Sequence, residues 1–270
     1  YKRNNKEQEY QSDKEMFYAY KTKALYNKKF YNECITCCVE ALNTLSNFHH
    51  SNDIWIESRK ALCLGEIESA DKAIEELKKL VAIKIHWIFY AEIARLYQSK
   101  SDNENALLYF CRAAITFDPP QMKVTLYCEM AVLINEMGDS YNANLHAIYA
   151  KDIRKKEGWN IPTKLSTVID DIAKTEEAQD VHSGTLQEYW ISKIYETLEM
   201  LKGTITNVNK NGKFGFIKSG KESYYFKTAS TFGRYSARQD DKVVFCITDS
   251  FDKSKNRKTK EAAYIKLDKY

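Results

Sequence analysis

The sequence predicts an α+β protein in separate domains, an all-helical repeat array followed by a small five-stranded β-barrel. Three observations predict it. Before Pro119 the only glycine or proline is Gly65, so almost nothing interrupts helices there. Small and aromatic residues recur over the same stretch at a spacing of about 34. Beyond Leu201 the pattern turns into short alternating runs separated by Gly, Asn, Asp and Lys.

The repeat is clearest in WIFYAEIARLYQSKSDNENALLYFCRAAITFDPP, residues 87–120, where Tyr90, Ala94 and Tyr97 share a helical face. A polar turn follows, then Ala106, Phe110 and Ala113, and a proline pair closes the unit. A fourth unit places Tyr127, Ala131, Ala143, Ala147 and Ala150 around a turn at Gly138 and Asp139. A second places Ala61, Leu64, Ala73, Leu77 and Leu80, and a first places Tyr18, Leu25, Tyr31, Cys34, Cys38 and Ala41. The units begin near residues 15, 54, 87 and 124.

These residues resemble the tetratricopeptide repeat, whose small side chains let two antiparallel helices approach closely. The resemblance implies about four helical hairpins over residues 1–158, stacked so that neighbours supply the core no single hairpin can build. It also implies a concave groove lined by the first helix of each unit. Aligning the units puts Lys23, Tyr26, Asn27, Arg95, Gln98 and Asn135 there, side chains able to grip a peptide backbone and its carboxylates.

A terminal repeat needs covering, and residues 159–200 are expected to be a helical cap and linker. Leu186, Tyr189, Trp190, Ile194 and Leu198 recur at three- and four-residue steps, with Ser183 and Gly184 at the start of that helix.

The barrel, residues 201–270, is read from five runs: GTITNV, KFGFI, SYYF, KVVFCIT and AAYIKL. Alternation puts Phe214 and Phe216 on one face with Tyr225 and Lys227 beside them. It turns Tyr224 and Phe226 inward with Ile205, Ile217, Val244 and Ile265.

The segments KGTITNV, NGKFGFIKS, SYYFKTAS and KVVFCITDSFDKSKNRKTKEAAYIKL are together similar to a cold-shock domain over nearly its whole length. That resemblance implies an OB-type barrel on which single-stranded bases stack against aromatic rings while lysines meet phosphates. Carried onto this chain, the binding residues are Lys213, Phe214, Phe216, Lys218, Tyr225, Lys227 and Phe232. The family usually has a tryptophan at Asn207, a histidine at Lys227 and an aromatic residue at Thr228, so the stacking platform here is reduced.

Charge agrees with this division of labour. Residues 202–270 hold 16 Lys plus Arg against 7 Asp plus Glu, a balance of +9, whereas residues 1–201 carry −5. A polyanion is drawn to the C-terminal part. With 44% hydrophobic and 29% charged residues the chain has ordinary globular composition. Its longest apolar stretch, Leu80 to Ala94, is broken by Lys84, His86 and Glu92, so no membrane span is expected. The charged first residues lack a signal-peptide core. Seven cysteines scattered through apolar pattern imply packing in a reducing cytoplasm rather than a disulfide framework.

No catalytic constellation stands out. Cys34, Cys37 and Cys38 with His49 and His50 mimic a metal motif, yet Cys34 and Cys38 occupy small-residue helix positions. His86, His146 and His182 stand near no nucleophile in sequence. NKNGKFG lies between strands rather than ahead of a helix, unlike a phosphate-binding loop. No metal or cofactor is expected. The resulting expectation is a non-enzymatic adaptor. Its barrel binds single-stranded RNA or DNA, RNA favoured, weakly and salt-dependently, and its repeats hold a protein partner. The alternative is a purely protein-binding scaffold whose barrel is a docking module.

Overall fold

The computed structural model describes residues 2–3, 6–7, 10–160, 163–172, 181, 183–231, 235–252 and 257–268. The chain divides into two compact units, Tyr1–Tyr109 and Phe110–Tyr270.

The first unit opens with a two-residue antiparallel ladder, β1 (Lys2–Arg3) with β2 (Lys6–Glu7). Helical hairpins follow: α1 (Asp13–Asn27) with α2 (Tyr31–Thr44), α3 (Asn52–Ile67) with α4 (Ala70–Ile83), then α5 (Trp87–Ser99) and α6 (Asn103–Ala114), within which the unit boundary falls. The starts of α1, α3 and α5 match the periodicity to within two residues.

Local chemistry fixes these starts. The Ser12 and Ser69 hydroxyls accept from the Glu15 and Lys72 amides at 3.2 and 3.3 Å, and the Asp102 carboxylate accepts from the Asn105 amide at 3.2 Å. His86 caps α5 with an imidazole, its Nδ1 accepting from Ile88 N at 3.2 Å. A Cβ on Gly65 would stand 2.8 Å from the Ala73 Cβ, so glycine is what allows α3 and α4 to approach so closely.

Cysteines fill small positions in the first core, where Cys34, Cys37, Cys38 and Cys63 pack with Tyr18, Ala41 and Ile56. Burial of the neighbouring Glu15 would by itself raise its pKa. It is held below the ordinary value because His49 N, His49 Nδ1 and Asn52 Nδ2 approach its carboxylate at 2.7, 2.8 and 2.7 Å.

The second unit continues with a 3-10 turn (Pro120–Lys123), α7 (Val124–Glu136) and α8 (Ser140–Glu157), the fourth hairpin. The buried Lys123 ammonium donates to the Ala114 and Thr116 carbonyls, both at 2.8 Å, and closes the C-terminus of α6. Burial pulls its pKa down to about 8. α8 stops at Gly158, whose φ of +70° suits the left-handed cap.

α9 (Thr163–Ile172) packs on α7 and α8, and α10 (Ser183–Glu196) on α8. The Trp190 ring stacks on Tyr127 at 5.7 Å, and Tyr149 meets Tyr127 edge-on at 5.0 Å. Leu198, read as part of the amphipathic helix, lies just past its end at Glu196. His182 lies outside the described residues.

The barrel comprises β3 (Leu201–Val208), β4 (Phe214–Ser219), β5 (Glu222–Lys227), β6 (Lys242–Asp252) and β7 (Arg257–Leu267). It is closed in the order β3-β4-β5-β7-β6, with β6 returning antiparallel to β3 and β7 lying parallel to β5 at Phe226 and Ala262. Ile205, Ile217, Phe226, Val243, Phe245, Ala262 and Ile265 form its core, with Tyr224 half-buried against them.

Val244 is therefore a correction to the alternation reading, since Val243 and Phe245 point inward and Val244 pairs with the exposed Lys266. The run KVVFC can be read in two phases, and the bulge between Val244 and Cys246 adds a second buried residue, Cys246, next to Phe245.

A hydrogen bond joins barrel to cap. The Tyr195 hydroxyl donates to the Tyr264 carbonyl at 2.6 Å, and the Lys266 ammonium lies 4.1 Å from the Tyr195 ring centre. Tyr264 carries φ of +54°, a left-handed conformation unusual for an aromatic residue. All seven cysteines are unpaired and buried. Among the described residues no helix is long and apolar enough to cross a membrane.

Candidate functional site

Three rings from two adjacent strands gather on the outer face of the barrel. Phe216 on β4 pairs across with Tyr225 on β5, and Phe214 pairs with Lys227. The Tyr225 ring sits 5.6 Å from Phe214 and 5.9 Å from Phe216. Phe214 and Phe216 are 36% and 39% exposed, so both rings offer surface to a flat ligand.

Gly215 between them makes the arrangement possible. A Cβ there would lie 2.3 Å from the Asn207 carbonyl and 2.7 Å from the Phe226 ring, so only glycine lets β4 settle on the core while its neighbours turn outward.

The turn before the rings is held by its own polar groups. The Asn209 side-chain oxygen accepts from the Lys213 and Phe214 amides at 2.8 and 3.1 Å. The Thr228 hydroxyl donates to the Gly212 carbonyl at 2.7 Å. Thr228 thus braces the loop carrying Lys213. The exposed Asn207 lies opposite Phe216 across β3 and β4.

The cations are not equivalent. Lys213 and Lys218 are exposed, and Lys218 follows Phe214 and Phe216 on the same alternating face of β4. Lys227 instead lies 3.0 Å from both carboxylate oxygens of Glu261 on β7. Ser250 on β6 donates to the same carboxylate at 2.9 Å. Phe232 lies outside the described residues.

Of the groove residues, Lys23 and Asn27 are exposed on α1, and Tyr26 is half-buried 6.3 Å from the Tyr31 ring. Burial, helped by the nearby Glu92 on α5, pushes the Tyr26 phenol up to about 12. Arg95 and Gln98 are half-buried on α5, and Arg95 pairs with Glu92 at 2.7 Å. Asn135 is exposed in the second unit.

His49 is committed to Glu15, while the Cys34 thiol donates to the Thr22 carbonyl at 3.3 Å. Among the described residues no three His, Cys, Asp or Glu side chains are grouped to hold a metal ion.

Sequence reasoning missed Asn209, Glu261 and Ser250. The signal for Glu261 lay in alternation, since a buried Ala262 turns its neighbour outward. Its contact with Lys227 depends on the parallel pairing of two strands remote in sequence.

A family model described as Domain of unknown function (DUF7017) matches residues 54–189, from the start of the second hairpin into α10. No curated protein gives a significant sequence match. Among solved structures, the chain is similar to the MamA protein at 14% identity and a TM-score of 0.43, covering 68% of this chain and 90% of that one. It is also similar to a putative kinesin light chain with nearly identical TPR-like repeats from Podosopora anserina, at 12% identity and a TM-score of 0.44, covering 69% and 96%. The architecture of this chain rests on its own packing, described above.

Proposed function

Because the chain belongs to the family described as Domain of unknown function (DUF7017), which assigns no activity, we propose a function from the geometry: a non-enzymatic adaptor. Its C-terminal barrel binds single-stranded nucleic acid, RNA favoured, and its helical hairpins, read as tetratricopeptide-like, hold a protein partner. The observation that carries this is the exposed trio Phe214, Tyr225 and Phe216 beside Lys213 and Lys218.

The strand order, with β7 parallel to β5 and the closure by β6 antiparallel to β3, supports reading the barrel as an OB fold of cold-shock type. On such a face each stacked base contributes about 1–3 kcal/mol, while lysines add salt-sensitive attraction without sequence preference. Phe232 completes the proposed ring set. Lys23, Tyr26, Asn27, Arg95, Gln98 and Asn135 are the proposed partner contacts. Reduced, buried cysteines suit a cytoplasmic setting.

Fluorescence anisotropy of the full chain with a labelled single-stranded RNA tests the reading. Affinity should fall as salt rises, and Phe214→Ala with Phe216→Ala should weaken it further. Absence of salt-dependent binding, or indifference to both substitutions, would overturn it.

A second reading, a scaffold whose barrel docks onto protein, is favoured by one observation: the cation paired with Phe214 across the strands is already neutralised by Glu261. Binding of protein but no oligonucleotide by the purified chain would decide for it.

A further inference from the structure

The ring cluster of the barrel is flanked by two kinds of lysine. Lys213 and Lys218 project from β4 and its approach loop, exposed. Lys227, the cross-strand partner of Phe214, is bound through its ammonium to both oxygens of Glu261 at 3.0 Å. Glu261 is the better fixed of the pair, its side chain 16% exposed against 52% for Lys227, and Ser250 holds one of its oxygens at 2.9 Å.

An exposed ion pair adds little to stability, typically under about 1 kcal/mol. Its effect on ligands is a separate matter. A phosphate approaching Lys227 must displace a carboxylate held by a second group, or settle beside it and meet like charge. Either way Lys227 is withdrawn from the set of available cations. Stacking on Phe214, Phe216 and Tyr225 needs no charge and is unaffected.

Resting on the nucleic-acid reading of this face, we infer that Glu261 sets the charge contribution of the face: by occupying Lys227 it removes about one phosphate contact from RNA and base-free polyanions alike, so that stacking on the rings carries a larger share of RNA binding.

The inference is tested on the full chain with two probes, a single-stranded RNA and inorganic polyphosphate, titrated across salt concentrations. Glu261→Gln keeps an acceptor for Ser250 while freeing Lys227. One added phosphate contact steepens the salt dependence by about 0.7 in log–log slope and strengthens binding about fivefold at about 0.1 M salt. Both probes should gain, polyphosphate starting from far weaker binding, and Lys227→Gln added to Glu261→Gln should cancel the gain. Glu261→Ala gives the same direction should the glutamine variant fail to fold.

If the native chain binds RNA while Glu261→Gln and Glu261→Ala change neither slope nor polyphosphate affinity, the inference is overturned and the nucleic-acid reading stands. If neither the native chain nor the variants bind RNA, that reading falls and takes the inference with it.

Discussion

The Trp190 indole donates a 2.8 Å hydrogen bond to Nε2 of His146, deep in the second unit. Nε2 must therefore be unprotonated, and Nδ1 carries the hydrogen it donates to the Asn142 carbonyl at 2.7 Å. This neutral histidine joins α8 to the capping helix α10.

Complete burial pulls the His146 pKa from the ordinary 6.5 down to about 4. A folded value below the unfolded one means that the unfolded chain takes up the proton first. The stabilisation is full above about pH 6.5 and is lost as pH falls through about 4, at most about 3 kcal/mol. Urea unfolding at about pH 7 and pH 5 should show the loss, and His146→Gln should flatten the profile in that window.

Glu15 acts lower on the pH scale. Its folded pKa lies below 4.5, so its contribution is present above that value and is lost as pH falls beneath it. Glu15→Ala leaves the His49 and Asn52 donors without their acceptor and should cost about 2 kcal/mol, read from urea midpoints at neutral pH.

Gly215→Ala should cost about 1–3 kcal/mol by forcing a methyl group against the Asn207 carbonyl and the Phe226 ring. Circular dichroism melts would register it as a lowered midpoint. The exposed Phe214→Ala and Phe216→Ala, by contrast, should leave melting nearly unchanged.

Asn207→Trp places a ring opposite Phe216, where the resembling family has one. It should strengthen RNA binding by about 1–3 kcal/mol, roughly 5- to 150-fold, measurable by anisotropy at fixed salt.

The sequence made the helical hairpins legible because Ala73, Ala94, Ala106 and Ala131 sit where helices meet, and a small residue at a contact has a fixed period. The ring face was legible through the alternation of Phe214, Gly215 and Phe216. Val244 was misassigned because two adjacent valines offer two phases and alternation alone carries no register. Glu261 was invisible for a related reason. Its partner sits on a strand that reaches β7 only through barrel closure, and such pairing leaves no mark at short range. The buried acceptor role of His146 likewise arises from helix packing across a long stretch of chain.

The left-handed turn of Tyr264, held by a hydroxyl from α10, makes the last strand of the barrel a dependant of the helices before it. Severing the chain near residue 200 would strip that strand of its external anchor and leave an unfavourable backbone angle to be borne by the barrel alone.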